Sequence, residues 1–79
     1  MKEYYFTRKA DYYSEWEKED PVQCEGSFYD YLLNEIQNVY PNYSVREEAG
    51  DWYYIIDGSN EDTGERYHVY KERMILLDR

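Results

Sequence analysis

The sequence has one cysteine and one histidine, Cys24 and His68. One cysteine excludes an internal disulfide, on which a very small secreted domain usually leans. No apolar signal segment follows "MKEYYFTRK", so the chain is expected to be cytoplasmic. The sequon Asn42-Tyr43-Ser44 then reads as a chance match, because glycosylation needs a secretory route. One thiol and one imidazole are too few soft ligands for a structural zinc site. They also leave a serine or Cys24 nucleophile with a single candidate base. The four glycines form no phosphate-cradling pattern. The longest apolar runs, such as "MILL", fall far short of a membrane span. No cofactor is expected, and the chain is not expected to be an enzyme.

Basic residues are also scarce: 9 against 18 acids, for a formal charge of −9. A nucleic-acid binder carries a basic face, and an anionic membrane attracts basic segments. The totals therefore argue against direct binding to either. They fit a cationic partner instead, since charge on this scale speaks about association rather than fold.

What the chain has in plenty is aromatic rings, sixteen in 79 residues, twelve of them tyrosine. A chain this short is one domain, and it buries only ~60% of the surface that its unfolded form exposes. Aliphatic side chains are few, so rings must fill much of the core. Each buried ring contributes ~150–250 Å². Twelve tyrosine hydroxyls exceed what a thin core can satisfy. Some rings are expected at the surface, where tyrosine is a favoured contact residue.

In "SFYDYLLNEIQNVYPN", Phe28, Leu32, Ile36, Val39 and Tyr40 recur at helical spacing. Ser27 stands three residues before Asp30 in a shortened capping box. Pro41 biases Tyr40 away from helical backbone. A helix is predicted over about 28–39. Strands are predicted over about 3–8, 43–48, 52–57 and 66–73, where aromatic and β-branched residues are dense. Gly50 serves the turn between the second and third of these. In "DWYYIID" both alternating sets are apolar, which suits an inner strand with one face under the helix and an aromatic outer face. The segment "DYYSEWEKEDP" reads equally well as strand, short helix or loop. The expected fold is α+β: one helix packed on an antiparallel sheet of three to four strands.

The connection "DGSNEDTGERYH" fails as an EF-hand in either register. Starting at Asp57 puts Asp62 where glycine is required; starting at Ser59 puts Tyr70 where glutamate is required. With 18 acids, some carboxylate pair always exists, so a pair carries no catalytic signal. The acids instead fall in three clusters: Glu15, Glu17, Glu19 and Asp20; Glu47, Glu48 and Asp51; and Asp57, Glu61, Asp62 and Glu65. Residues 21–40 hold Glu25, Asp30 and Glu35 but no lysine or arginine. Successive turns of a meander lie at opposite sheet ends, so the last two clusters are expected ~20 Å apart. The expected contacts with a partner are Glu47, Glu48, Asp51, Asp57, Glu61, Asp62 and Glu65, with Tyr53, Tyr54 and Tyr70 as anchors. Carboxylates meet guanidinium forks, and tyrosine faces accept their planes.

One tiny domain, strong negative charge and no enzymatic motif: in these respects the chain resembles the small acidic inhibitors that phages and mobile elements encode against host defence, the anti-CRISPR and anti-restriction proteins. The resemblance is one of class and carries over no residue roles. It implies blockade of the nucleic-acid groove of a basic, nucleic-acid-handling protein by charge mimicry, with the inhibitor a monomer or weak homodimer. The alternatives are an immunity protein or antitoxin that neutralises a basic nuclease, a weak cation-binding domain, or a structural subunit.

Overall fold

The computed structural model describes residues 1–76. Helix α1, Phe28–Val39, begins at the predicted boundary, where the Ser27 hydroxyl accepts the Asp30 backbone N–H. It ends where the Tyr40 N–H bonds the Ile36 carbonyl, just ahead of Pro41. Six strands form one antiparallel sheet: β1 (Lys2–Lys9), β2 (Glu17–Lys18), β3 (Val22–Cys24), β4 (Ser44–Glu48), β5 (Trp52–Ile56) and β6 (Asp62–Met74). Their order is β2-β1-β6-β5-β4, with β3 pairing farther along β1. The architecture is the expected one, with more strands than predicted.

Two departures have clear causes. The segment left open between β1 and α1 supplies β2 and β3, which fold back along the free edge of β1. An uncovered edge strand is a template for aggregation, and this return covers it. The final strand starts at Asp62 rather than near residue 66. A left-handed glycine, Gly64 at φ +88°, lies within it where the β5–β6 register shifts, the signature of a bulge. The connection is consequently a tight turn. Asp57 Oδ1 accepts the backbone N–H of Ser59 and Glu61, and Asn60 takes positive φ.

At the β4–β5 hairpin, Gly50 and Asp51 both have positive φ, conformations that glycine and aspartate tolerate. β6 is the middle strand. It pairs with β1 from Lys2↔Met74 to Lys9↔Arg66, so the two ends of the described chain meet in the sheet.

The core lies between α1 and one face of the sheet. Phe28, 1% exposed, sits at its centre, with ring centroids 5.0 Å from Phe6, 5.1 Å from Tyr53, 5.6 Å from Tyr4 and 5.8 Å from Tyr31. Ile55, Leu32, Val45, Tyr67 and Val69 complete it. Aromatic rings do supply the bulk that the aliphatic content cannot. The Tyr4 hydroxyl donates to the Gly26 carbonyl and the Tyr67 hydroxyl to Glu65, as buried polar atoms require.

Candidate functional site

Strand alternation divides the side chains between two faces, and register fixes which goes where. On β5 the core receives Tyr53 and Ile55, so Trp52 and Tyr54 point outward. Tyr53 is 4% exposed and is therefore no surface anchor. With both alternating sets apolar, the strand's own sequence could not choose between Tyr53 and Tyr54; packing under Phe28 decides it. Burial, then the Glu47 carboxylate, raises the Tyr53 hydroxyl well above the usual tyrosine range.

The acids of the β5–β6 turn are mostly committed within the molecule. Asp57 ties the turn. Asp62 pairs with Arg66 at 2.9 Å, and Glu65 pairs with Arg8 at 2.7 Å while accepting the Tyr67 hydroxyl. Burial, then Glu65, also holds Tyr67 in its neutral form. Of that cluster only Glu61 is fully exposed. At the other hairpin, Glu47 and Asp51 line a groove beside α1, whereas Glu48 lies in register with Trp52 on the outer face. The ten expected contacts therefore belong to two opposite faces and an interior.

The helix side is the acidic one. α1 runs between two grooves. The first, about 310 Å³, is lined by Phe6, Tyr31, Leu32 and Tyr67, with Glu19, Asp20 and Glu35 among its polar residues. The second, about 210 Å³, has Glu47, Asp51 and Glu72. The cations in these grooves are Arg8 and Lys2, and both stand in ion pairs, with Glu65 and Glu72. Glu19, Asp20, Glu35 and Glu72 were not among the expected contacts, although the first two fell in an acidic cluster of the sequence. The signal for Glu35 was the stretch 21–40 without a base; Glu72 sits in a mixed strand and had none.

The outer face is the reverse. Of the nine lysines and arginines, Lys9, Lys18, Arg46, Arg66, Lys71 and Arg73 occupy its strand positions, and Arg79 lies outside the described residues. One row crosses four strands as Arg46, Tyr54, Arg66 and Lys9. Arg46 and Arg66 approach the Tyr54 ring from the two neighbouring strands, at 4.9 and 4.6 Å from its centroid. Tyr12 lies 5.6 Å from Arg66 on its other side. The next row places Trp52 against His68, stacked at 4.0 Å, and Trp16 folds over to meet Trp52 edge-on at 5.7 Å. Beyond the β1–β6 irregularity, Lys71 lies 5.0 Å from Tyr5 and Lys18 5.9 Å from the exposed Tyr70. Glu3, buried nearby, accepts bonds from Tyr5, Gln23 and Arg73, and these hold its carboxyl below the usual range.

Among the described residues no group of three or more His, Cys, Asp or Glu is disposed to hold a metal ion, and no helix is long and apolar enough to cross a membrane. No known protein family, curated protein or solved structure matches the chain.

Proposed function

We propose that this chain is a non-catalytic, protein-binding inhibitor. Its helix side occupies a cationic groove that otherwise holds nucleic acid, on a host defence complex of the kind that anti-CRISPR and anti-restriction proteins block. The observation that carries this reading is the distribution of carboxylates around α1. Glu19, Asp20 and Glu35 stand on one flank and Glu47, Asp51 and Glu72 on the other, with Lys2 and Arg8 the cations beside them. Solubility alone would be served by mixed signs on every face. A face of nearly one sign, with tyrosine and phenylalanine at the base of its grooves, suits arginine and lysine side chains.

The contacts are thereby moved from the β5–β6 turn, whose acids other than Glu61 are used internally, to the two flanks of the helix. The mode is steric and reversible, with charge accelerating encounter.

The test is capture of partners from lysate at low salt by three immobilised forms: the parent, E19Q/D20N/E35Q and E47Q/D51N/E72Q. These residues are at or near the surface, so folding is expected to survive, as circular dichroism would check. The parent should retain a DNA- or RNA-handling complex that free duplex DNA displaces, and at least one variant should lose it. Equal capture by all three forms, or capture that duplex DNA leaves untouched, removes the reading.

A further inference from the structure

The outer face of the sheet is covered only where Tyr12 and Trp16 fold over it, and its composition says what would cover the rest. It holds six cations at strand positions against three carboxylates, Glu3, Glu48 and Asp62. Two of those three are already spent, Glu3 on Arg73 and Asp62 on Arg66. Among the described residues Arg46, Lys18 and Lys71 make no salt bridge. The occupant should therefore be anionic. It should also be planar in part, because rings stand beside the cations in the rows through Tyr54, through Trp52 and His68, and through Tyr5. Bases stack on aromatic and guanidinium planes, and phosphates meet the cations between them.

We propose that this face binds single-stranded nucleic acid, with bases on the exposed rings of Tyr12, Trp16 and Tyr70 and phosphates against Arg46, Lys18 and Lys71. A single strand fits better than a duplex, whose bases are stacked inside and offer the rings nothing. A second copy docked across a two-fold axis would set arginines against arginines. An acidic peptide satisfies the charge but leaves the rings unused. The Arg46–Tyr54–Arg66 column already orders its long side chains in the free protein, so little ordering remains for binding. This proposal stands on the sheet face alone and does not rest on the helix-side reading.

The net charge of −9 opposes such binding only where it is felt. At physiological salt a charge is screened within ~8 Å, and at 0.01 M within ~30 Å. Side chains on the helix side project away from the outer face, with the sheet and the helix layer between. Near physiological salt a bound strand meets mainly the local cations; at low salt it meets the whole molecule. Affinity should therefore pass through a maximum as salt is raised, unlike the steady decline of an ordinary basic binder.

Trp16 and Trp52 are the chain's two tryptophans, and both stand on this face, so intrinsic fluorescence reports on it directly. The experiment titrates the full chain with a labelled single-stranded DNA of about 12 nucleotides, and with RNA of the same sequence, reading fluorescence and anisotropy. The expected result is tryptophan quenching with Kd of about 10–100 μM near 0.1 M salt, weaker at both about 0.01 M and about 0.5 M. K18Q/R46Q/K71Q, all exposed positions, should weaken binding roughly 10-fold or more with an unchanged circular dichroism spectrum. Any of three outcomes overturns the proposal: no quenching up to about 1 mM strand, a Kd beyond the usual non-specific range; equal affinity for poly-glutamate; or a concentration-dependent mass in sedimentation showing that a second copy covers the face.

Discussion

Phe28 touches more of the core than any aliphatic residue in the chain could. Its ring meets Tyr4, Phe6, Tyr31, Tyr53 and Tyr67. Phe28→Ala is expected to cost about 3–5 kcal/mol, the range for a buried aromatic truncated to alanine. That is most of the ~5 kcal/mol at the low end of domain stabilities, where a domain this small belongs, so urea titration should find the variant largely unfolded or nearly so. Glu3 offers a different test. Tyr5, Gln23 and Arg73 bond its ionised form and lower its pKa below the ordinary 4.5. A carboxyl whose folded pKa is depressed contributes stability that is present above the ordinary value and lost as pH falls through the folded one. Melting temperature should therefore drop on acidification below about pH 4.5. Glu3→Gln should lower stability at neutral pH and flatten that part of the curve; a curve identical to the parent's would show that Glu3 contributes nothing.

Among the elements, β6 tolerates substitution least at one position and carries the most information. Gly64 stands at φ +88° with its missing Cβ aimed at Tyr12, whose backbone N would lie 2.8 Å away. Gly64→Ala combines left-handed backbone with a main-chain clash and is expected to cost about 2–3 kcal/mol. It should also push the Tyr12 loop aside, red-shifting Trp16 emission. Gly50→Ala, where the near atoms belong to the Trp52 side chain, should cost about 1 kcal/mol. Calorimetry on the pair reads the difference. The same strand shows where sequence reading stopped. α1 was legible to the residue because its 3.6-residue stripe, Ser27 and Pro41 agree. The start of β6 was hidden because Asp62, Thr63, Gly64 and Glu65 have turn composition; Arg66 and Arg8, which neutralise two of them, are positioned only by the sheet. β2 and β3 were illegible for a related reason: two and three residues are too short for any period, and only pairing with β1 makes them strands. The candidate contacts fared likewise, since the sequence lists acids but the register assigns them to faces.

At the scale of the whole molecule, the charge is sorted rather than spread, with carboxylates massed around α1 and cations on the opposite face. Repulsion among the former strains the folded state, and added salt relieves it. Raising sodium chloride from about 0.01 to about 0.3 M is expected to increase the melting temperature by roughly 4–8 °C, equivalent to ~1 kcal/mol in a domain of this size. A fall instead would mean that the ion pairs, four among the described residues, outweigh the repulsion. The pairing of β1 with β6 has a consequence for how the protein is made. Glu3 and Arg73 bond across 70 residues, so β1 waits for its partner β6 to be made. At ~5–20 residues per second that wait is ~4–14 s. Throughout it, "EYYF" hangs from the nascent chain with nothing but β2 and β3 to shield it. Anything that stalls synthesis before β6 therefore leaves an aromatic strand for chaperones to hold.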